Sequence, residues 1–307
     1  MRKAFVAELC DLAADDPRIV LLTGDLGFMV LEPFAERFGD RFFNVGVAEQ
    51  NMIGLATGMA EAGLRPYAYS IATFASLRPF EFIRNGPVRH QLPVRIVAVG
   101  GGFEYGPAGP THHALEDVAL MRTQPGLCVV APADHVQSGE VVRKTSSLDG
   151  PVYLRLGKDD TTVVPGLGPR FDLGRIQRVR RGSDVAILAM GAIAAEAVKA
   201  AEVLSGHGVD AEVGIVASIA PAPVEDLEAL LASVPTVVTV EEHMVTGGLG
   251  SLVAEIAAER GGARVVRLGV TSAPPPVGGS EAYLRRIHGL TAEHIAAAAV
   301  ATVEVRR

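Results

Sequence analysis

Short apolar runs bounded by glycine or proline alternate along this chain with longer stretches of helical spacing, and that alternation dictates the class of fold. Residues 19–22, 67–71, 94–99 and 127–130 are rich in β-branched residues and read as buried parallel strands. Between them, 48–62, 74–91 and 134–148 carry helical spacing. Parallel neighbours need a crossover, so this rhythm closes as a mostly parallel sheet flanked by helices. It breaks over 159–182, where Pro165, Gly166, Gly168 and Pro169 precede a basic run of Arg175, Arg178, Arg180 and Arg181. Those arginines are read as a solvated face or a contact with the first domain. Beyond the break, strands are expected at 185–190, 209–216, 236–240 and 265–268, with helices at 192–207 and 248–260. The expectation is two α/β domains, 1–165 and 182–307, joined by a linker over 166–181. A chain of 307 residues, 49% apolar, can fill both cores.

A net charge of −7 argues against nucleic acid or an anionic membrane as partner. No apolar run is long enough to span a bilayer, and the alanine-rich stretch 295–303 reads as an end helix. Arg2 and Lys3 suggest the start of a leader, but Glu8, Asp11, Asp15 and Asp16 interrupt any apolar core, so no signal peptide is expected. Cys10 and Cys128 sit among apolar neighbours and read as buried structural thiols in a cytoplasmic protein. His112 and His113 do not form a metal site, because adjacent side chains diverge and no cysteine or third histidine is near. Gly247 to Gly250 lack the spacing and downstream acid of a dinucleotide loop.

Three segments follow the carboxyl ends of expected strands, where open α/β sheets bind ligands. The first is Phe42-Phe43-Asn44-Val45-Gly46-Val47-Ala48-Glu49-Gln50-Asn51-Met52. The others are Thr73-Phe74 and Gly106-Pro107-Ala108-Gly109-Pro110-Thr111-His112-His113-Ala114-Leu115-Glu116-Asp117. Taken alone, Glu49 is a helix-start acid favoured by the dipole and Phe74 a core aromatic. Asp25, in Thr23-Gly24-Asp25-Leu26-Gly27, reads equally as a turn former.

Together these segments resemble the thiamine diphosphate family that holds transketolase and 1-deoxyxylulose 5-phosphate synthase. The likeness covers nearly the whole chain and matches the pyrimidine-binding and C-terminal domains of those enzymes. It implies that Glu49 hydrogen-bonds N1′ of the cofactor's aminopyrimidine, a proton relay through the cofactor. It further implies that Phe74 stacks on the ring, that Phe80 lines the pocket, and that Asp25 and Leu26 lie near the cofactor. His112 is implied to face the substrate's reacting oxygens, Arg155 to hold a substrate phosphate, and His113 to pack or cap. Glu241-Glu242-His243 with Gly247-Gly248-Leu249-Gly250 resembles a strand-end loop near subunit contacts, without a catalytic role.

The sequence also departs from the pattern. Ala108 stands where the family has an acid that recognises a substrate hydroxyl. Gly100 and Met29 stand where a histidine and a serine help hold the phosphate, and a lone arginine holds that group less well. An unusual ketose, a modified sugar or an unphosphorylated acceptor is therefore expected. The family's Gly-Asp-Gly…Asn segment, which binds the diphosphate through Mg²⁺, is missing from the chain. The implied protein is the small subunit of a split transketolase, active only with a diphosphate-binding partner that carries the Mg²⁺ ligands, most simply as a two-plus-two heterotetramer. The alternatives are a pyruvate-using carboligase, a 2-oxo acid dehydrogenase beta-type subunit, and a non-catalytic regulatory subunit.

Overall fold

The computed structural model describes residues 1–271 and 278–304. Its strands are β1 (Ile19–Thr23), β2 (Phe42–Asn44), β3 (Arg65–Ile71), β4 (Arg95–Val99), β5 (Cys128–Val130) and β6 (Val152–Leu156). They continue as β7 (Gln177–Arg180), β8 (Val185–Met190), β9 (Ala211–Ile215), β10 (Ser218–Ala220), β11 (Thr236–Met244) and β12 (Arg264–Val270). The first sheet has seven strands in the order β10-β5-β6-β4-β3-β1-β2. All its pairs are parallel except β10 with β5. The second has five, β12-β11-β8-β9-β7, parallel except for β7 at its edge. Strands β1, β4 and β6 are buried along their whole length, as helices on both faces require.

The chain runs outward from β1 to β2, then returns to place β3 on the other side of β1. Connections leaving β1 and β3 therefore diverge, which opens a crevice between their carboxyl ends, the switch point of a doubly wound sheet. The residues of the site described below stand on β3 or on the segments that follow β2, β3 and β4.

The stretch 74–91 is not one helix. It divides into Ala72–Ser76, Phe80–Ile83 and a wide turn over Arg84–Val88. Pro79 and Pro87 fall at the breaks; neither has an N–H to continue the ladder. The bend leaves Phe74 and Arg78 on the same side of the crevice.

The segment read as a linker is packed. Phe171 is buried with the first domain's core, and Gln177–Arg180 is a strand of the second sheet. Arg181 is exposed, and the other three arginines of the basic run reach the second domain and not the first. Arg175 forks onto Asp226, Arg178 reaches Glu212, and Arg180 donates to the Ala211 carbonyl and Ser205 Oγ. The second domain in turn lends β10 to the first sheet.

A buried polar network locks the two units. Arg155 Nε donates to Asp117 Oδ2 at 2.8 Å, and its Nη2 donates to the carbonyls of Ala114 and Glu242, each at 3.0 Å. Tyr153 donates to the same Asp117 oxygen at 2.9 Å, and Arg285 forks onto Glu242 at 2.9 and 2.8 Å. Burial alone would raise the Asp117 carboxyl; the Arg155 guanidinium against it overrides that and holds it below the usual range. Glu241 caps the helix Leu249–Arg260, accepting from the Leu249 and Gly250 amides at 2.8 Å each. Glu241, Glu242 and His243 thus lie in β11, which runs to Met244, and not in a loop after it. No helix among the described residues is long and apolar enough to cross a membrane.

Candidate active site

Glu49 begins the helix Glu49–Glu61, beyond the end of β2, where a carboxylate is favoured by the unpaired amides of the first turn. The chain reaches it through Gly46, whose φ of +73° is a conformation that a side chain resists. The carboxylate is 2% exposed and presses against Gly24, where an added Cβ would stand 3.5 Å from its Oε1. Ser70, on β3, donates its hydroxyl to that Oε1 at 3.0 Å. Arg78 Nη1 donates to Oε2 at 2.9 Å.

Phe74, in the short helix after β3, is half-buried, and one face of its ring is covered by Arg78. The guanidinium carbon lies 3.8 Å from the ring centroid. His112 meets Phe74 edge-on, with centroids 5.0 Å apart, and its Nδ1 lies 2.9 Å from Thr111 Oγ1. Tyr105 stands on the far side of His112, at 6.3 Å. An open cavity of about 600 Å³ borders the group, lined by Val47, Ala48, Glu49, Gln50, Asn51 and Arg78. The structure therefore brings Glu49, Phe74 and His112 into one continuous line. A buried acid, an aromatic face and a half-exposed imidazole can orient a planar nitrogen heterocycle and move protons at its edge.

The other expected residues fare differently. Asp25 is exposed in a turn at φ +58°, and both of its hydrogen bonds go to the Asn44 side chain, as a turn former's would. Leu26 packs against the first core while its carbonyl accepts from Thr23 Oγ1. Phe80 lies past the Pro79 break, and its half-buried ring packs on the core. Arg155 is 5% exposed, with its Nε and Nη2 held in the interdomain network. Freeing those two nitrogens would leave Asp117 buried without its counter-charge. His113 packs edge-on against Phe103, and Nε2 lies 3.3 Å from the Gly106 carbonyl.

Residues 1–163 match the family described as transketolase, pyrimidine binding domain, and residues 174–295 match transketolase, C-terminal domain. The chain belongs to the transketolase family. It is 38% identical over 300 residues to a putative transketolase C-terminal section of Methanocaldococcus jannaschii, covering 96% of this chain and 94% of that protein. It is also 38% identical over 303 residues to the 6-deoxy-6-sulfo-D-fructose transketolase subunit SqwH of Clostridium sp. strain MSTE9, covering 97% and 93%. A solved structure described as split gene transketolase, inactive beta4 tetramer, superimposes with a TM-score of 0.89 at 39% identity, over 100% of this chain and 99% of that one. In extent and likeness, this is the subunit of a split transketolase that carries the pyrimidine-binding and C-terminal domains.

Two residues of this cluster were not singled out from the sequence. Arg78 stands four residues after Phe74, a spacing at which helical side chains meet, and that was the available signal. Ser70 gave none, since a serine inside a strand is ordinary until the fold sets Glu49 beside it.

Proposed function

We propose that this subunit binds the aminopyrimidine of thiamine diphosphate between Glu49 and Phe74, and transfers a two-carbon ketol unit from a ketose to an aldehyde. The observation that carries this is the buried Glu49 carboxylate, held by Ser70 at one oxygen and met at the other only by Arg78, whose guanidinium lies over Phe74. A planar group fits there, because the Arg78 guanidinium already lies over that ring and donates to that oxygen. When bound, thiamine diphosphate would supply the nucleophilic carbon needed to break the C2–C3 bond of a ketose, and Glu49, Phe74 and Ser70 would hold its aminopyrimidine.

The chain's own part is proton handling and orientation. Ser70 holds Oε1, so Glu49 presents Oε2 to the N1′ edge of the ring and shares a proton there. Phe74 fixes the ring plane. His112, tethered through Nδ1 to Thr111, has Nε2 left to move a proton at the substrate's oxygen. Asp25 and Leu26 border the crevice without a side-chain contact to this line, and we assign them to shaping the loop after β1.

The partner in this reading binds the diphosphate and supplies the Mg²⁺ ligands, most simply as a two-plus-two heterotetramer. Relatives of the same extent described as a C-terminal section or a subunit support it. So do Phe28, Met29 and Val47, apolar yet largely exposed on the loops after β1 and β2. Buried free thiols at Cys10 and Cys128 suit a cytoplasmic location. For the donor we propose a ketose that does not rely on a phosphate clamp, given Gly100, Met29, Ala108 and the buried Arg155. The Clostridium relative is named for a 6-deoxy-6-sulfo ketose, which carries a sulfonate in place of a 6-phosphate.

The test is to mix the chain with its diphosphate-binding partner, thiamine diphosphate and Mg²⁺, and to follow ketol transfer from hydroxypyruvate. Transfer is expected only from the mixture. A mixture that binds the cofactor and releases CO₂ from pyruvate, without ketol transfer, would replace this reading with the carboligase.

A further inference from the structure

We infer that Arg78 is a placeholder for the cofactor's ring, occupying the slot between Glu49 and Phe74 until the aminopyrimidine displaces it. This rests on the reading of Glu49 and Phe74 given above. A guanidinium is planar and cationic, presents N–H donors along its edge, and stacks on aromatic faces. An aminopyrimidine is likewise planar and stacks, with donors along its edge when its ring nitrogen is protonated. Arg78 meets both walls of the slot at once, 3.8 Å over Phe74 and 2.9 Å from Glu49 Oε2, the oxygen that Ser70 leaves open.

The arginines between the two domains are held differently. Arg155 donates to Asp117 and two carbonyls, and Arg285 to Glu242 and Glu281. Arg78 has a single hydrogen-bond partner among the described residues, Glu49, and its side chain is 43% exposed where Glu49's is 1%. It sits between two short helices, at a bend, and lines the open cavity of about 600 Å³, so it can swing aside without disturbing the core.

The physical need for a placeholder is the carboxylate itself. A buried Glu49 without a donor on Oε2 is costly, and Arg78 supplies both charge and hydrogen bond while the ring is absent. The ring must then compete with the arginine, so observed affinity falls by the fraction of chains in which the slot is open. Arg78 acts as a positioning residue: it keeps Oε2 aimed into the slot and lowers the affinity for the ring.

The experiment titrates the full chain with the isolated fragment 4-amino-5-hydroxymethyl-2-methylpyrimidine by calorimetry, using wild type, Arg78→Met, Arg78→Ala and Glu49→Gln. Both Arg78 variants should bind the fragment about ten-fold more tightly, while Glu49→Gln weakens it. Equal or weaker binding by the Arg78 variants, with dependence on Glu49 intact, overturns the placeholder and leaves the slot. Binding that ignores Glu49→Gln, or none by any chain, overturns the slot and the placeholder together. Wild type gives a second readout that needs no variant. Saturating fragment should move the Arg78 Nε–H nuclear magnetic resonance signal to that of a solvated arginine; an unmoved signal contradicts displacement.

Discussion

The interface between the domains and the crevice at the switch point use the same two groups, a buried carboxylate and an arginine, to opposite ends. At the interface, Asp117 and Arg155 are 1% and 5% exposed, and Arg155 is held by Asp117 and by the carbonyls of Ala114 and Glu242. In the crevice, Glu49 is equally buried but Arg78 is half in water, with one hydrogen bond and one ring to hold it. The pairs are nearly the same length, 2.8 and 2.9 Å. Length therefore does not separate the lock from the proposed binding site. What separates them is whether the cation can leave.

The contrast can be broken most severely at the lock. Asp117→Ala should destabilise the chain by about 3–5 kcal/mol in urea unfolding, because Arg155 then stays buried without a counter-charge. A loss near zero would mean that Arg155 has an outlet to water, and the distinction would fail. On the crevice side, Phe74→Ala should weaken cofactor binding by the assembled complex about ten-fold. Its urea midpoint should hardly move, since the ring is only half-buried. A large fall in stability instead would return Phe74 to the core.

A smaller effect lies in pH. Burial first, then nearby carboxylates, pushes Glu104 up to about 8, and burial pushes Glu241 up to about 7 and Glu281 up to about 7. These groups keep protons in the folded state that an unfolded chain releases above its ordinary value of 4.5. Their contribution is complete below that value and is lost as pH rises through 7 and 8. His243, pushed down to about 4 by burial, works in the opposite sense, but only below its ordinary 6.5. Unfolding midpoints should therefore fall from pH 6.5 to 8, and Glu104→Gln should flatten the fall. A midpoint that rises over that range would contradict burial of these acids. The smallest effect belongs to Arg175–Asp226, also 2.8 Å long, whose arginine is 60% exposed, so Arg175→Ala should leave Tm unchanged within error. A clear loss there would show that pair length matters after all.

Much of this contrast was legible in the sequence, though unevenly. The buried strands announced both sheets, because a parallel strand covered on each face must be apolar throughout. Glu49, Phe74 and His112 could be placed together because each follows a strand's carboxyl end. Three-residue β2 showed only as the strand end ahead of Glu49, and three-residue β10, packed by a neighbouring domain, carried no signal. Arg155 shows the limit most clearly: a motif position gives a residue type, but burial and partners decide whether its charge faces a ligand or a neighbouring carboxylate. Arg178 teaches the same lesson from the surface, since its partner Glu212 is fixed only when β7 joins β9.

The central claim is tested most directly at Glu49. The initial rate of ketol transfer from hydroxypyruvate should be measured for the two-subunit complex carrying wild type or Glu49→Gln, at saturating thiamine diphosphate and Mg²⁺. A loss of about 100- to 10,000-fold with assembly unchanged is the expected result. Equal rates would show that the buried carboxylate relays no proton, and the proposed site would be wrong.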